Sequence, residues 1–164
     1  MPTTDTGDLP NVAEVLGPLL QRTPSEQQPL LIAIAERRAA ERYRRWAQEV
    51  ATEPRMSHLR ACADREEEIA GRVEALYPDA EAIQHAILAK NPDLEEINRT
   101  LFAGRSLAQQ FTIQAQGERL GAATWRAFAH QEQSAARGAV FLACAELEEQ
   151  SALVLEDILA ATGN

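Results

Sequence analysis

Four glutamates are the residues of this sequence whose spacing suggests chemistry. Glu36 and Glu66 are 30 residues apart, Glu118 and Glu148 are also 30 apart, and the second pair follows the first at an offset of 82. A carboxylate placed among apolar residues must be protonated, hydrated, paired with arginine or neutralised by a cation, because an isolated buried charge is very costly. Two divalent ions would balance four carboxylates charge for charge, an arrangement that helix bundles support.

The interval belongs to a longer repeat. Residues 23–76 align with residues 105–158 without a gap, and 16 of the 54 positions are identical. Chance would give about four in so Ala-rich a chain. The identities include Arg44/Arg126, Ala47/Ala129, Cys62/Cys144 and Ala70/Ala152, and aromatic residues match in kind as Tyr43/Trp125 and Trp46/Phe128.

Helices must position these residues. With about 100° per residue, Glu36 shares a face with Ala40, Tyr43 and Ala47, while Arg38, Glu41 and Arg45 lie opposite. Glu118 falls with Ala122, Trp125 and Ala129, Glu66 with Cys62, Ile69, Val73 and Leu76, and Glu148 with Cys144, Ser151, Leu155 and Ile158. Each of four helices therefore aims one carboxylate inward. Arg37, Arg44, Arg119 and Arg126 flank the inward faces and offer arginine pairing as the alternative to metal.

The expected organisation is an N-terminal tail over residues 1–22, loose over 1–10 with a possible short helix Asn11–Gln21, followed by one four-helix bundle over 23–161. Thr23 or Ser25 is expected to cap the first long helix, which runs to about Thr52 with Pro29 in its first turn. The second covers about Arg55–Leu76, the third Ser106–Gln133 and the fourth Ala136–Ala161. The hairpins 23–76 and 105–158 are joined by a crossover, 77–104, expected to be irregular apart from a short helix Ala80–Ala89. That crossover is long enough to run the length of a helix of about 30 Å.

Composition agrees with an all-α class. Alanine supplies 30 of 164 residues and aromatics only 5%, against the β-branched and aromatic content a sandwich or barrel uses. A net charge of −9 argues against nucleic acid as a partner. No apolar run reaches the ~18 residues of a membrane span. The stretch MPTTDTGDLP carries Asp5 and Asp8 and does not read as a signal peptide, so a soluble cytoplasmic domain is expected. Cys62 and Cys144, each one turn from a glutamate, are expected as free buried thiols.

The pattern Glu36-x-x-Ala39-x-x-x-Tyr43-x-x-Trp46-Ala47, followed by Ala63-x-x-Glu66-x-x-Ile69-Ala70, resembles the ferritin-like superfamily, nearest its rubrerythrin-type members. The second half repeats it as Glu118-x-x-Gly121-x-x-x-Trp125-x-x-Phe128-Ala129 and Ala145-x-x-Glu148-x-x-Ser151-Ala152, so the resemblance spans about residues 23–158. It implies a ferritin-like four-helix bundle with a long crossover. It further implies Glu36, Glu66, Glu118 and Glu148 as ligands of two divalent ions, iron or manganese, with Tyr43 as a hydrogen-bond donor behind them. The family's usual Glu-x-x-His motifs are altered here, with Ile69 and Ser151 at the histidine positions. Only oxygen donors are left, which favours harder cations.

Two functions follow as expectations. One is a dinuclear metal-carboxylate protein, an oxidoreductase or a metal-handling protein. The other is a metal-free bundle that keeps the fold and serves as a binding or interaction module. The first hairpin shows Arg38, Glu41, Arg42 and Arg45 outward on its first helix and Arg65 and Arg72 outward on its second, whereas the second hairpin carries apolar residues on its back, at Leu120, Ala123, Ala127, Leu147, Leu153 and Val154. A homodimer through these residues is expected, or a cover supplied by Val12, Val15, Leu16, Leu19 and Leu20 of the N-terminal segment.

Overall fold

A computed structural model describes residues 9–162, so residues 1–8 of the expected tail lie outside the described residues. The described chain is all-helical: α1 (Val12–Arg22), α2 (Gln28–Val50), α3 (Arg55–Glu74), α4 (Ala80–Lys90), α5 (Leu94–Phe102), α6 (Leu107–Gln131) and α7 (Ala135–Thr162). The four long helices fall where the repeat places them, and α2/α3 and α6/α7 each pack as a hairpin.

Helix ends follow local chemistry. Asn11 starts α1 by accepting from the amides of Ala13 and Glu14, and the helix continues through Pro18. Ser106 and Gln109 form a reciprocal capping box at the start of α6. Neither Thr23 nor Ser25 caps α2. A single 3-10 turn, Ser25–Gln27, leads into it instead, and the Thr23 hydroxyl donates back to the Leu19 carbonyl.

The crossover is more ordered than its sequence suggested, with two helices rather than one. Asn91-Pro92 breaks the chain, the buried Asn91 side chain donates to the Ile87 carbonyl, and α5 then begins. Leu94, Ile97 and Leu101 recur at helical spacing, which gives α5 an inward stripe opposite Glu95 and Glu96.

Packing differs between the two pairs of facing helices. α3 and α7 pack directly on each other, and each buries several small residues, Cys62, Ala63 and Ala70 on one and Cys144, Ala145, Ser151 and Ala152 on the other. Between α2 and α6 large side chains fill the gap: Trp46 meets Phe111 edge-on at 5.2 Å between ring centroids, and its indole N–H donates to Gln110. α5 lies along this side, so Arg38 pairs with Glu95 and Arg42 sits over the Phe102 ring at 4.2 Å. The expectation that Arg42 faces solvent is corrected by this placement.

α1 packs on α6, burying Val12 and Leu19, and Leu120 packs into the same core. The N-terminal segment thus covers part of the apolar back of the second hairpin. Leu142 and Leu153 on α7 stay about half exposed, at 50% and 52%. Among the described residues no helix is long and apolar enough to cross a membrane.

Candidate metal centre

The four glutamates are all buried, one on each of α2, α3, α6 and α7. The arginines that could have reached them do not. Arg37 pairs with Glu67 and Glu74, and Arg44 with Glu67. In the second half Arg119 pairs with Glu156, and Arg126 with Glu149. The Arg37–Glu74 and Arg119–Glu156 pairs are related by the 82-residue offset, as are Arg44–Glu67 and Arg126–Glu149. The repeat therefore extends to a matched belt of ion pairs on the hairpin surfaces, and the inner carboxylates are left to one another.

Carboxylate oxygens of Glu36, Glu66 and Glu148 lie within 4.8 Å of one another, close enough to ligate one cation together. Glu118 stands outside this trio but beside it, interacting with both Glu66 and Glu148. Its Oε1 is committed elsewhere: the Tyr43 hydroxyl donates to it at 2.6 Å and the Gln114 amide at 2.8 Å. Its Oε2 has no partner. Both oxygens of Glu66, fully buried, also lack partners.

Electrostatics follow from this crowding. Burial is the largest cause pushing the Glu36 carboxyl above its ordinary range, and it pushes Glu66 and Glu148 well above it, with the neighbouring carboxylates adding to the rise at Glu66 and Glu148. Burial likewise drives the Tyr43 phenol well above its usual value, so it remains a donor. Arg42 supplies a cation whose field favours the charged form of Glu36. Burial lowers its own guanidinium to about 10, which leaves it protonated at neutral pH.

Several supports were not legible from the glutamates alone. Arg42 donates two hydrogen bonds to Gln114 Oε1, at 3.2 and 2.9 Å, which turns the Gln114 amide N–H toward Glu118. The repeat hides Gln114, because its counterpart in the first half is Ile32. Trp125 does more than fill space: its indole N–H donates to Glu148 Oε1 at 2.9 Å while its ring stacks on Phe141. Gly121, matched to Ala39 in the repeat, lies under Glu148, where a Cβ would come within 2.6 Å of Oε1.

Ile69 and Ser151, at the positions where the resemblance implies histidine, are both buried. Ser151 accepts from Arg65, whose guanidinium also reaches Cys62 Sγ at 3.2 Å. Arg65 was expected on the outer face and instead bridges α3 and α7. Its repeat counterpart is Leu147, so the two ends of the carboxylate cluster differ in polarity. His58, His85 and His130 are exposed and take no part. Both cysteines are free and buried, with burial raising the Cys144 thiol to about 12.

This donor set suits a hard cation. It presents only oxygen, it leaves Glu66 with two unused acceptors and Glu118 with one, and a glycine clears room for the Glu148 carboxylate. No protein-family model, no curated protein and no solved structure matches the chain.

Proposed function

We propose that this chain is a ferritin-like metal-carboxylate protein that binds two divalent cations, iron or manganese, through Glu36, Glu66, Glu118 and Glu148. The single observation carrying this reading is the buried trio of Glu36, Glu66 and Glu148, with ligand oxygens within 4.8 Å and no arginine among them. In this reading Glu118 offers its free Oε2 while Tyr43 and Gln114 fix the other oxygen. Trp125 orients Glu148, and Gly121 gives that carboxylate its place. Arg42 works one step further back, by orienting Gln114. Bound iron or manganese would supply redox chemistry or a storage function that these side chains lack.

A metal-free bundle is the second reading, favoured by the raised carboxyls of Glu36, Glu66 and Glu148, which allow protons to bridge the cluster. Metal analysis of protein produced with iron and manganese available separates the two. The parent is expected to carry about two ions per chain, and a Glu36→Ala/Glu148→Ala double variant none. A parent free of transition metal contradicts the first reading and supports the second.

The proposal also includes a homodimer through the back of α6 and α7, where Leu142 and Leu153 are exposed. Sedimentation at micromolar concentration is expected to give twice the chain mass, and a monomer contradicts it.

A further inference from the structure

A cavity of about 140 Å³ lies between α1 and α5 on one side and α2 and α6 on the other. Its walls are apolar, built chiefly from Leu16, Leu31, Ile97, Leu101, Ile113 and Leu120, and its inner end is closed by Glu36, Glu118 and Glu148. We propose that this cavity is a binding site for one small apolar molecule, about the size of a six-membered ring, carrying a single hydroxyl that donates to Glu118 Oε2.

Three independent observations converge on that occupant. The volume sets its size, since a cavity of about 150 Å³ with similar walls accepts benzene. The unpartnered Glu118 Oε2 sets its polar end, because a buried acceptor without a donor costs free energy that a hydroxyl would recover. Glu118 is 1% exposed and borders the cavity, so a donor from outside the carboxylate cluster reaches it from within that cavity.

The third observation is Gly117, in the middle of α6 and on the cavity wall. Glycine weakens a helix interior by about 1 kcal/mol relative to alanine. A Cβ at Gly117 would meet nothing within 4 Å, so close packing does not require the glycine. One turn later Gly121 also borders the cavity, and there the glycine is required by Glu148. What Gly117 provides is open space, and a side chain at that position would take it away.

The site neither needs the metal nor uses α3, since Glu66 does not border it. It is the metal-free chain that offers Glu118 Oε2 to a hydroxyl, since the metal reading gives that oxygen to an ion, so in chelator the two readings fail separately. A carboxylate placed at the inner end would meet Glu36, Glu118 and Glu148, while the two lining guanidiniums are engaged elsewhere, Arg38 with Glu95 and Arg42 with Gln114 and Asn98.

The test uses the full chain in chelator with three aromatic probes, the isosteric pair phenol and toluene, and benzoate. Calorimetric titration and methyl NMR of the wild type are expected to give phenol binding in the millimolar range or tighter. Toluene is expected to bind about tenfold more weakly, for want of the charge-assisted hydrogen bond, and benzoate not to bind. Phenol-induced methyl shifts are expected at Leu16, Ile97 and Leu120, and not at Leu142 or Leu153, which are exposed on α7 and do not line the cavity. Gly117→Leu, which places a side chain in the cavity, is expected to abolish phenol binding while keeping the helical circular dichroism. Absence of phenol binding to the wild type, shifts centred elsewhere, toluene binding as tightly as phenol, or undiminished binding in a folded Gly117→Leu would each overturn the proposal. Should Gly117→Leu not fold, the wild-type probe ranking and shift map decide alone.

Discussion

The Tyr43 hydroxyl donates to Glu118 across the bundle, and not to Glu66 of its own hairpin. Its repeat counterpart Trp125 does the reverse, donating to Glu148 within its own hairpin. One matched pair of aromatic donors thus serves Glu118 and Glu148, both on the second hairpin, and leaves both Glu66 oxygens without a donor. The duplication is nearly symmetric in its surface ion pairs and asymmetric at its centre.

Removing the Tyr43 hydroxyl should therefore strip one donor from Glu118 while Gln114 remains. Tyr43→Phe is expected to lose about 1.5–3 kcal/mol, the range for hydrogen bonds to charged groups. Urea denaturation in chelator measures it. A loss near zero would mean that Gln114 alone satisfies Glu118.

Glu66, with no donor at all, should have the opposite effect in the metal-free chain. Glu66→Leu is expected to stabilise it by about 1–3 kcal/mol near neutral pH, by removing an unpaired buried polar group. The same substitution should abolish any rise in Tm on adding manganese. If the metal-free variant is less stable than the parent, the Glu66 carboxyl holds the cluster together by sharing a proton with Glu36 or Glu118.

Two glycines one turn apart on α6 should respond with opposite signs. Gly117→Ala meets open space and is expected to stabilise by up to about 1 kcal/mol through helix propensity. Gly121→Ala places a methyl against the Glu148 carboxylate and is expected to destabilise despite the same propensity gain. Parallel denaturation curves compare them, and equal stabilisation at both sites would show that the Glu148 carboxylate moves freely.

The pH dependence follows from the raised carboxyls of Glu36, Glu66 and Glu148. The folded metal-free chain holds protons that the unfolded chain releases. Stability from these groups is complete below the unfolded value of about 4.3 and is lost as pH rises through the folded values. Tm in chelator is expected to fall as pH rises above the unfolded carboxyl range, and to fall less in Glu66→Gln. Exposed acids held low by arginine, such as Glu156 beside Arg119, pull the other way and are common to both proteins. Identical pH slopes in parent and variant would contradict the assignment to the cluster.

The inward direction of all four glutamates and the paired hairpins were legible because a repeat superimposes two noisy helical patterns. What the repeat could not reveal is where its halves differ. Gln114 aligns with Ile32, Arg65 with Leu147 and Gly121 with Ala39. Each departure sits beside a glutamate or bridges the two hairpins. The second crossover helix was missed because Asn91-Pro92 reads as a loop, although Leu94, Ile97 and Leu101 already carried a helical period. Arg42 reads as solvent-facing on the wheel of α2 alone, and only the α5 helix laid along that side turns it into a part-buried prop for Gln114.

Anomalous diffraction at the manganese edge, from crystals of the full chain grown with manganese, tests the central claim most directly. The account predicts a peak enclosed by Glu36, Glu66 and Glu148, lost in Glu36→Ala/Glu148→Ala. An empty cluster at saturating manganese, or a peak confined to surface acids, would contradict it.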